Sequence, residues 1–246
     1  MEKASMFKDG ESIQDSDMLS VLMIGQSNMA GRGDLGTIPE IINPDCYMMR
    51  MGRWQPMRDP INVDRPLSGI PFPSGVSLAG SFADELSRYT GRRVGLIPCA
   101  DGGTKIEAWQ PGEVLFDHAV AMCELAKRSS RLYGIIWHQG ESDCWTDIEE
   151  YKRELKTLIV ELRRALGDPD LPFVAGELSM DMSDCWYERD MPRKINATLH
   201  DFESELPAFR VASSMDIPLR GDGVHFSAEG CRKFGVRYFE KFKELI

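Results

Sequence analysis

Four short stretches gather residue types that do chemistry together. In the first, Val21–Gly33 (VLMIGQSNMAGRG), Ser27 follows an apolar run closed by Gly25. A serine just past a strand end exposes its hydroxyl above the sheet, where free backbone N–H groups favour negative charge; that suits a nucleophile. The plainer reading makes Ser27 a helix cap. The second is Asp101-Gly102-Gly103-Thr104, whose glycines let a backbone N–H approach a ligand closely, although by itself it is an ordinary turn. The third is Trp137-His138-Gln139-Gly140-Glu141-Ser142-Asp143, a dense polar set directly after an apolar run. There the Gln139 amide can donate to an oxyanion and Glu141 can orient an imidazole, while His138 itself reads first as a hydrogen-bonded structural ring. In the fourth, Gly221–Ser227, Asp222 and His225 stand three apart in a glycine-containing turn, so one loop presents a carboxylate and an imidazole together. A serine stays a weak nucleophile until a base takes its proton, and the base works best when a carboxylate fixes its tautomer. Asp222 is the first choice for that carboxylate and Glu141 the rival. His118 and His200 fall inside helical stretches, as surface or structural residues do.

The elements that must position these residues are legible as alternating patterns. Near-continuous apolar runs predict strands at Met18–Gly25, Cys46–Arg50, Arg93–Cys99, Leu132–His138, Leu171–Leu178 and Phe209–Ser213. Between them, apolar residues spaced i, i+3, i+4, i+7 predict helices at Ser77–Tyr89, Val114–Arg128, Ile148–Leu166, Pro192–Phe202 and Ser227–Ile246, the last capped by Ser227. Strands alternating with amphipathic helices mean a parallel sheet covered on both faces, a three-layer α/β/α sandwich of the flavodoxin-like kind. In such sheets a site forms at the carboxyl ends of the strands, where the winding reverses. All four stretches lie just past predicted strand ends. No repeat or linker divides residues 1–246, read as a single domain with a polar lead-in over 1–17. The tract from Gly33 to Gly75 carries seven prolines, which exclude long helices. Its Arg50, Arg53, Trp54, Arg65 and Phe72 either line the site or pin the loop to the core.

Bulk properties exclude several classes. Lys and Arg number 29 against 39 Asp and Glu, a formal charge of −10 with no basic cluster. Neither nucleic-acid binding nor an anionic membrane surface is expected. No apolar run approaches the roughly 20 residues of a membrane-spanning helix. The N-terminal residues lack the apolar core of a signal peptide, so the expected location is cytoplasmic, or secreted if a leader was removed. The six cysteines form no C-x-x-C pair, and several sit in apolar settings as buried thiols do. No metal or organic cofactor is expected, and oligomeric state is not readable.

IGQSNMAGRG, IPCADGGTKIEAW, IIWHQGESD and DGVHFSAEG, in this order from Ile24 to Gly230, resemble the SGNH (GDSL-like) hydrolase superfamily. More closely, they are similar to its carbohydrate acetylesterase branch, with acetylxylan esterases of carbohydrate esterase family six and the sialate O-acetylesterase domain. The GDSL letters are replaced by GQSN, and the branch has Gln where the wider superfamily has Asn. The resemblance implies Ser27 as nucleophile, His225 as base and Asp222 as its partner. It implies an oxyanion hole from the Ser27 and Gly103 (or Gly102) backbone N–H groups and the Gln139 side chain. Gln26, Asn28, Trp54, Trp109 and His138 are the expected substrate contacts. The implied activity is hydrolysis of O-acetyl groups on carbohydrate. A short-chain lipolytic or thioester-cleaving relative is the alternative enzyme; a non-catalytic carbohydrate-binding relative would need a broken triad, and all three residues are present.

Overall fold

The computed structural model describes residues 17–63, 73–186, 188 and 190–246. Every residue of the first strand, β1 (Met18–Gly25), is buried, as a strand flanked on both edges and covered on both faces must be. In chain order there follow α1 (Ser27–Ala30), β2 (Cys46–Arg50), β3 (Arg53–Pro56), α2 (Leu78–Thr90), β4 (Arg93–Pro98) and α3 (Val114–Ala126). The chain continues through β5 (Arg131–His138), α4 (Ile148–Leu166), β6 (Phe173–Gly176), α5 (Met191–Glu205), β7 (Phe209–Ala212) and α6 (Ala228–Lys243). The strands form one sheet in the order β3-β2-β4-β1-β5-β6-β7. All neighbours are parallel except β3, which pairs antiparallel with β2.

Side chains alternate across the sheet and divide the core in two. Leu22 and Ile24 of β1 pack with α3, α4 and α5 on one face, while Val21 and Met23 pack with α2 and α6 on the other. The expected three-layer α/β/α sandwich is therefore present. Helix ends follow local chemistry: Asp147 caps α4 by accepting from the N–H groups of Glu149 and Glu150 at 2.9 and 3.2 Å, and Gly167 ends it with φ of 81°. Ser227 caps α6, accepting from Gly230 N–H at 3.0 Å.

The structure adds one strand that the sequence did not signal: Arg53–Pro56 returns as an antiparallel strand at the edge of the parallel sheet. Only Trp54 of its four residues is buried, too short and polar a run to show an apolar pattern. Trp54 is also not at the site. Its ring lies against Gly95 in the first half of β4, and its Nε1–H donates to Ser129 Oγ at 3.0 Å, just before β5 begins. That is the amino end of the sheet, so Trp54 pins the edge hairpin to the core. Arg65 and Phe72 lie outside the described residues, as do residues 1–16 of the polar lead-in.

Candidate active site

The three central strands, β4, β1 and β5, pair in parallel up to their carboxyl ends and deliver three of the four stretches side by side. Asp101 N–H donates to Gly25 O, and Gln26 N–H to His138 O, both at 2.9 Å. Gly25 has φ of 130°, and a Cβ there would drive into the His138 backbone; only glycine lets β1 turn this close to β5. The turn places Ser27 at the start of α1, nearly buried at 7% exposure. Ser77, the cap of α2, donates from Oγ to Met29 O at 2.9 Å and fastens α1 to the next helix.

The fourth stretch arrives from the turn between β7 and α6. His225 Nε2 lies 3.0 Å from Ser27 Oγ, and its Nδ1 lies 3.0 Å from Asp222 Oδ2. Asp222 Oδ1 accepts from the backbone N–H groups of Val224 (3.1 Å) and His225 (3.0 Å), so the carboxylate holds its own loop in shape. Burial pushes the Asp222 carboxyl up, but the His225 and Val224 amides and the His225 ring outweigh it, leaving the group below its ordinary value. It is therefore a carboxylate at neutral pH, able to fix the Nδ1–H tautomer of His225 and leave Nε2 facing the serine.

Glu141 does not touch His225. Its Oε1 accepts from Asn28 Nδ2 and lies 3.2 Å from His138 Nε2. Asn28 in turn donates to Val224 O at 3.1 Å and accepts from Phe226 N–H at 3.0 Å. Burial raises the Glu141 carboxyl, and the His138 ring and the Asn28 amide bring it back below its ordinary value. His138 is fully buried, its Nδ1 lying 3.0 Å from Tyr238 Oη.

Several candidate substrate contacts hold the framework instead. Trp109 has no exposed surface; it meets Trp137 edge-on at 5.4 Å and donates from Nε1 to Thr104 Oγ1 at 3.1 Å, bracing the Gly102-Gly103 turn from below. His138 is equally inaccessible. Gln26 Oε1 accepts from Ser142 N–H at 3.2 Å and Gly140 N–H at 3.4 Å, clasping the β1 turn to the β5 turn. Asn28 is likewise engaged with Glu141, Val224 and Phe226. These residues position the site.

The Gly102-Gly103 turn lies beside the serine. A methyl group at Gly102 would stand 3.7 Å from Ser27 Cβ and run into the Arg32 guanidinium. Gln139 departs from its expected role. One of its amide hydrogens goes to Thr104 O at 3.1 Å and the other to Asp143 Oδ2, and the side chain is fully buried. Turning the amide over would set its oxygen against that carboxylate and carbonyl. Its bonds tie the β5 turn to the β4 turn and present no donor to a ligand.

Sequence reasoning missed four residues here. Arg32, inside the recognised QSNMAGRG stretch, is buried beside Gly102. Tyr238 belongs to the apolar face of α6, and no local signal sets its hydroxyl apart. Trp186 donates from Nε1 to Asp222 O at 3.0 Å and is 42% exposed, while Trp145, after the β5 turn, is 59% exposed. Their segments meet where Glu188 N–H donates to Cys144 O at 3.1 Å. Five of the six free cysteines are buried, and burial pushes the Cys46 and Cys231 thiols up to about 12. Among the described residues no group of three His, Cys, Asp or Glu could hold a metal ion, and no helix is long and apolar enough to cross a membrane.

A three-layer α/β/α sandwich of this topology brings a serine, a histidine and an aspartate into contact at the strand ends. The family described as carbohydrate esterase, sialic acid-specific acetylesterase matches residues 18–244, and the chain belongs to it. It is similar to a probable carbohydrate esterase of Arabidopsis thaliana, 25% identical over 236 residues that cover 87% of this chain and 86% of the relative. The crystal structure of an Arabidopsis thaliana protein superposes with a TM-score of 0.81 at 23% identity, covering 93% of this chain and 98% of that one. That of NanS superposes with a TM-score of 0.74 at 16% identity, with the same coverage.

Proposed function

We propose that this chain is a serine esterase that removes O-acetyl groups from acetylated carbohydrate through an acyl-enzyme on Ser27. The observation that carries the reading is the unbroken line Ser27 Oγ–His225 Nε2 and His225 Nδ1–Asp222 Oδ2, 3.0 Å at each contact. His225 Nε2 takes the Ser27 proton as Oγ attacks the acetyl carbonyl. The imidazolium so formed is stabilised by Asp222 and donates its proton to the departing sugar oxygen. Water, deprotonated by the same Nε2, then releases acetate and restores the serine. The backbone N–H groups of Ser27 and Gly103, with Gly102 alongside, are the donors we assign to the tetrahedral oxyanion. Losing one such donor typically costs about 100- to 1,000-fold in rate. Gln139 supports the hole by holding Thr104. The exposed indoles of Trp145 and Trp186 suit a sugar ring, whose C–H faces stack on aromatic surfaces.

Within the same chemistry, a second reading is favoured by the family's description: the acetyl group is carried by sialic acid rather than by xylan. Acetate release from acetylated xylan, O-acetylated sialic acid and an aryl ester series decides both points. Activity falling steadily from acetyl to butyryl to octanoyl is expected, with release from at least one acetylated glycan. Faster turnover of octanoate than acetate esters moves the assignment to a lipolytic enzyme.

A further inference from the structure

The loop that carries Asp222 and His225 lies near the surface, with their side chains 36% and 23% exposed, yet each of its backbone carbonyls from Asp222 to His225 accepts a hydrogen bond. On the buried side, Asn28 Nδ2 donates to Val224 O at 3.1 Å. Within the turn itself, Arg220 N–H donates to His225 O at 2.7 Å. The other two donors come from the stretch between β6 and α5. Ser183 N–H reaches Gly223 O at 2.8 Å, and Trp186 Nε1–H reaches Asp222 O at 3.0 Å. A short 3₁₀ turn, Asp184–Trp186, closed by Trp186 N–H on Ser183 O at 2.9 Å, sets both donors in one unit.

This unit fits the loop closely. Gly223 has φ of 71°, and a Cβ there would run into the Ser183 side chain, so glycine is what lets the two segments meet. The unit is also anchored at both ends. Met182 is buried in the same core as Val224, and Glu188 N–H donates to Cys144 O at 3.1 Å. An indole has a single hydrogen to donate and no acceptor. In Trp186 that hydrogen goes to the backbone of the very residue whose carboxylate meets the His225 ring.

We propose that Trp186 is a positioning residue for the catalytic base: with Ser183 it braces the loop from the outside, as Asn28 holds it from the inside. Gripped from both sides, the loop keeps the His225 ring in line with Ser27, and a displacement of about 1 Å at such a point can cost about 100-fold in rate. The role in turnover rests on the esterase reading; the brace itself does not.

Trp186→Phe keeps an aromatic ring and removes the donor. Its kcat and KM are measured on an aryl acetate, which has no sugar ring to stack, with kcat counted per serine titrated by an organophosphorus reagent so that misfolded chains drop out. We expect kcat at least about fivefold lower with KM within about twofold of wild type. A smaller loss of kcat, or a raised KM in its place, overturns the positioning role. The brace is read separately by NMR of the 15N-labelled chain, with indole signals assigned by their loss in Trp186→Phe and Trp145→Phe. The Trp186 indole N–H is expected to exchange with solvent at least about tenfold more slowly than that of the more exposed Trp145. Equal exchange overturns the brace. A wild-type chain that hydrolyses no ester defeats the esterase reading instead and leaves the exchange result standing.

Discussion

Asn28 grips the chain on either side of His225, accepting from Phe226 N–H at 3.0 Å and donating to Val224 O at 3.1 Å. The residue next to the serine thus fixes the residue opposite it. Because Asn28 also bonds Glu141, the β5 turn, the β1 turn and the loop before α6 share one side chain. Three backbone segments that no local sequence pattern joins are held together at the point where proton transfer must be aligned.

Asn28→Ala removes these bonds together. Each is worth about 1 kcal/mol, but the kinetic penalty comes from a looser imidazole. The expected result is a kcat on an aryl acetate about 10- to 100-fold lower with little change in KM. A raised KM with unchanged kcat would instead make Asn28 a substrate contact.

Ser27→Ala is expected to abolish acetate release while the thermal midpoint stays within about 2 °C of wild type, since the hydroxyl adds little to the core. An organophosphorus reagent should label Ser27 in the wild type. Near-wild-type turnover by the folded variant, or labelling of another serine, removes Ser27 from the nucleophile's place.

Asp222 meets the His225 ring and Glu141 does not, so the two carboxylates should differ in kind. Asp222→Asn favours the wrong tautomer and is expected to lower kcat by about 10,000-fold; Glu141→Gln loosens the support and costs less. Both are read as kcat on one aryl acetate. If Asp222→Asn stays within about tenfold of wild type while Glu141→Gln is the more damaged, Glu141 replaces Asp222 as the partner of His225.

His200 stands between two carboxylates, with Nε2 2.8 Å from Glu177 Oε1 and Nδ1 2.9 Å from Glu203 Oε2, and links α5 to the end of β6. Burial lowers its affinity for a proton, but Glu177 and Glu203 outweigh that, so the folded ring titrates above its ordinary 6.5. Burial likewise raises Glu177, and His200 and the Ser213 and Ser214 contacts bring it below its ordinary 4.5. A raised histidine contributes fully below the unfolded value and is lost as pH rises through the folded one; a lowered carboxylate contributes above its unfolded value and is lost as pH falls through the folded one. The clamp is therefore strongest between 4.5 and 6.5. Thermal melts of wild type and His200→Ala should show the wild-type advantage shrinking from pH 6 to pH 9. An advantage that stays constant over that range excludes the charged clamp.

The layered fold was legible because its signals are local. The 3.6-residue spacing of Ile148, Tyr151, Leu155, Leu158 and Leu162 marks α4 at the bounds it adopts, and Ser227 reads as the cap it is, because a helix repeats its environment every turn. The buried runs at Val21–Ile24 and Ile135–Trp137 show in the sequence because a strand covered on both faces has no polar side. Residue type and position just past strand ends brought Ser27, Asp222 and His225 to attention as candidates, and the resemblance of the four motifs to a family gave them their expected roles. Tertiary structure alone decided which groups meet. The contact between Ser27 and His225 spans 198 residues and that between Asn28 and Glu141 spans 113; loop ends set by packing across the sheet choose Asp222 over Glu141 for the ring. The same packing turned Trp54, Trp109 and His138 into framework and committed both Gln139 hydrogens. A residue's type states which bonds it can make, and its neighbours from distant parts of the chain determine which of them are already taken.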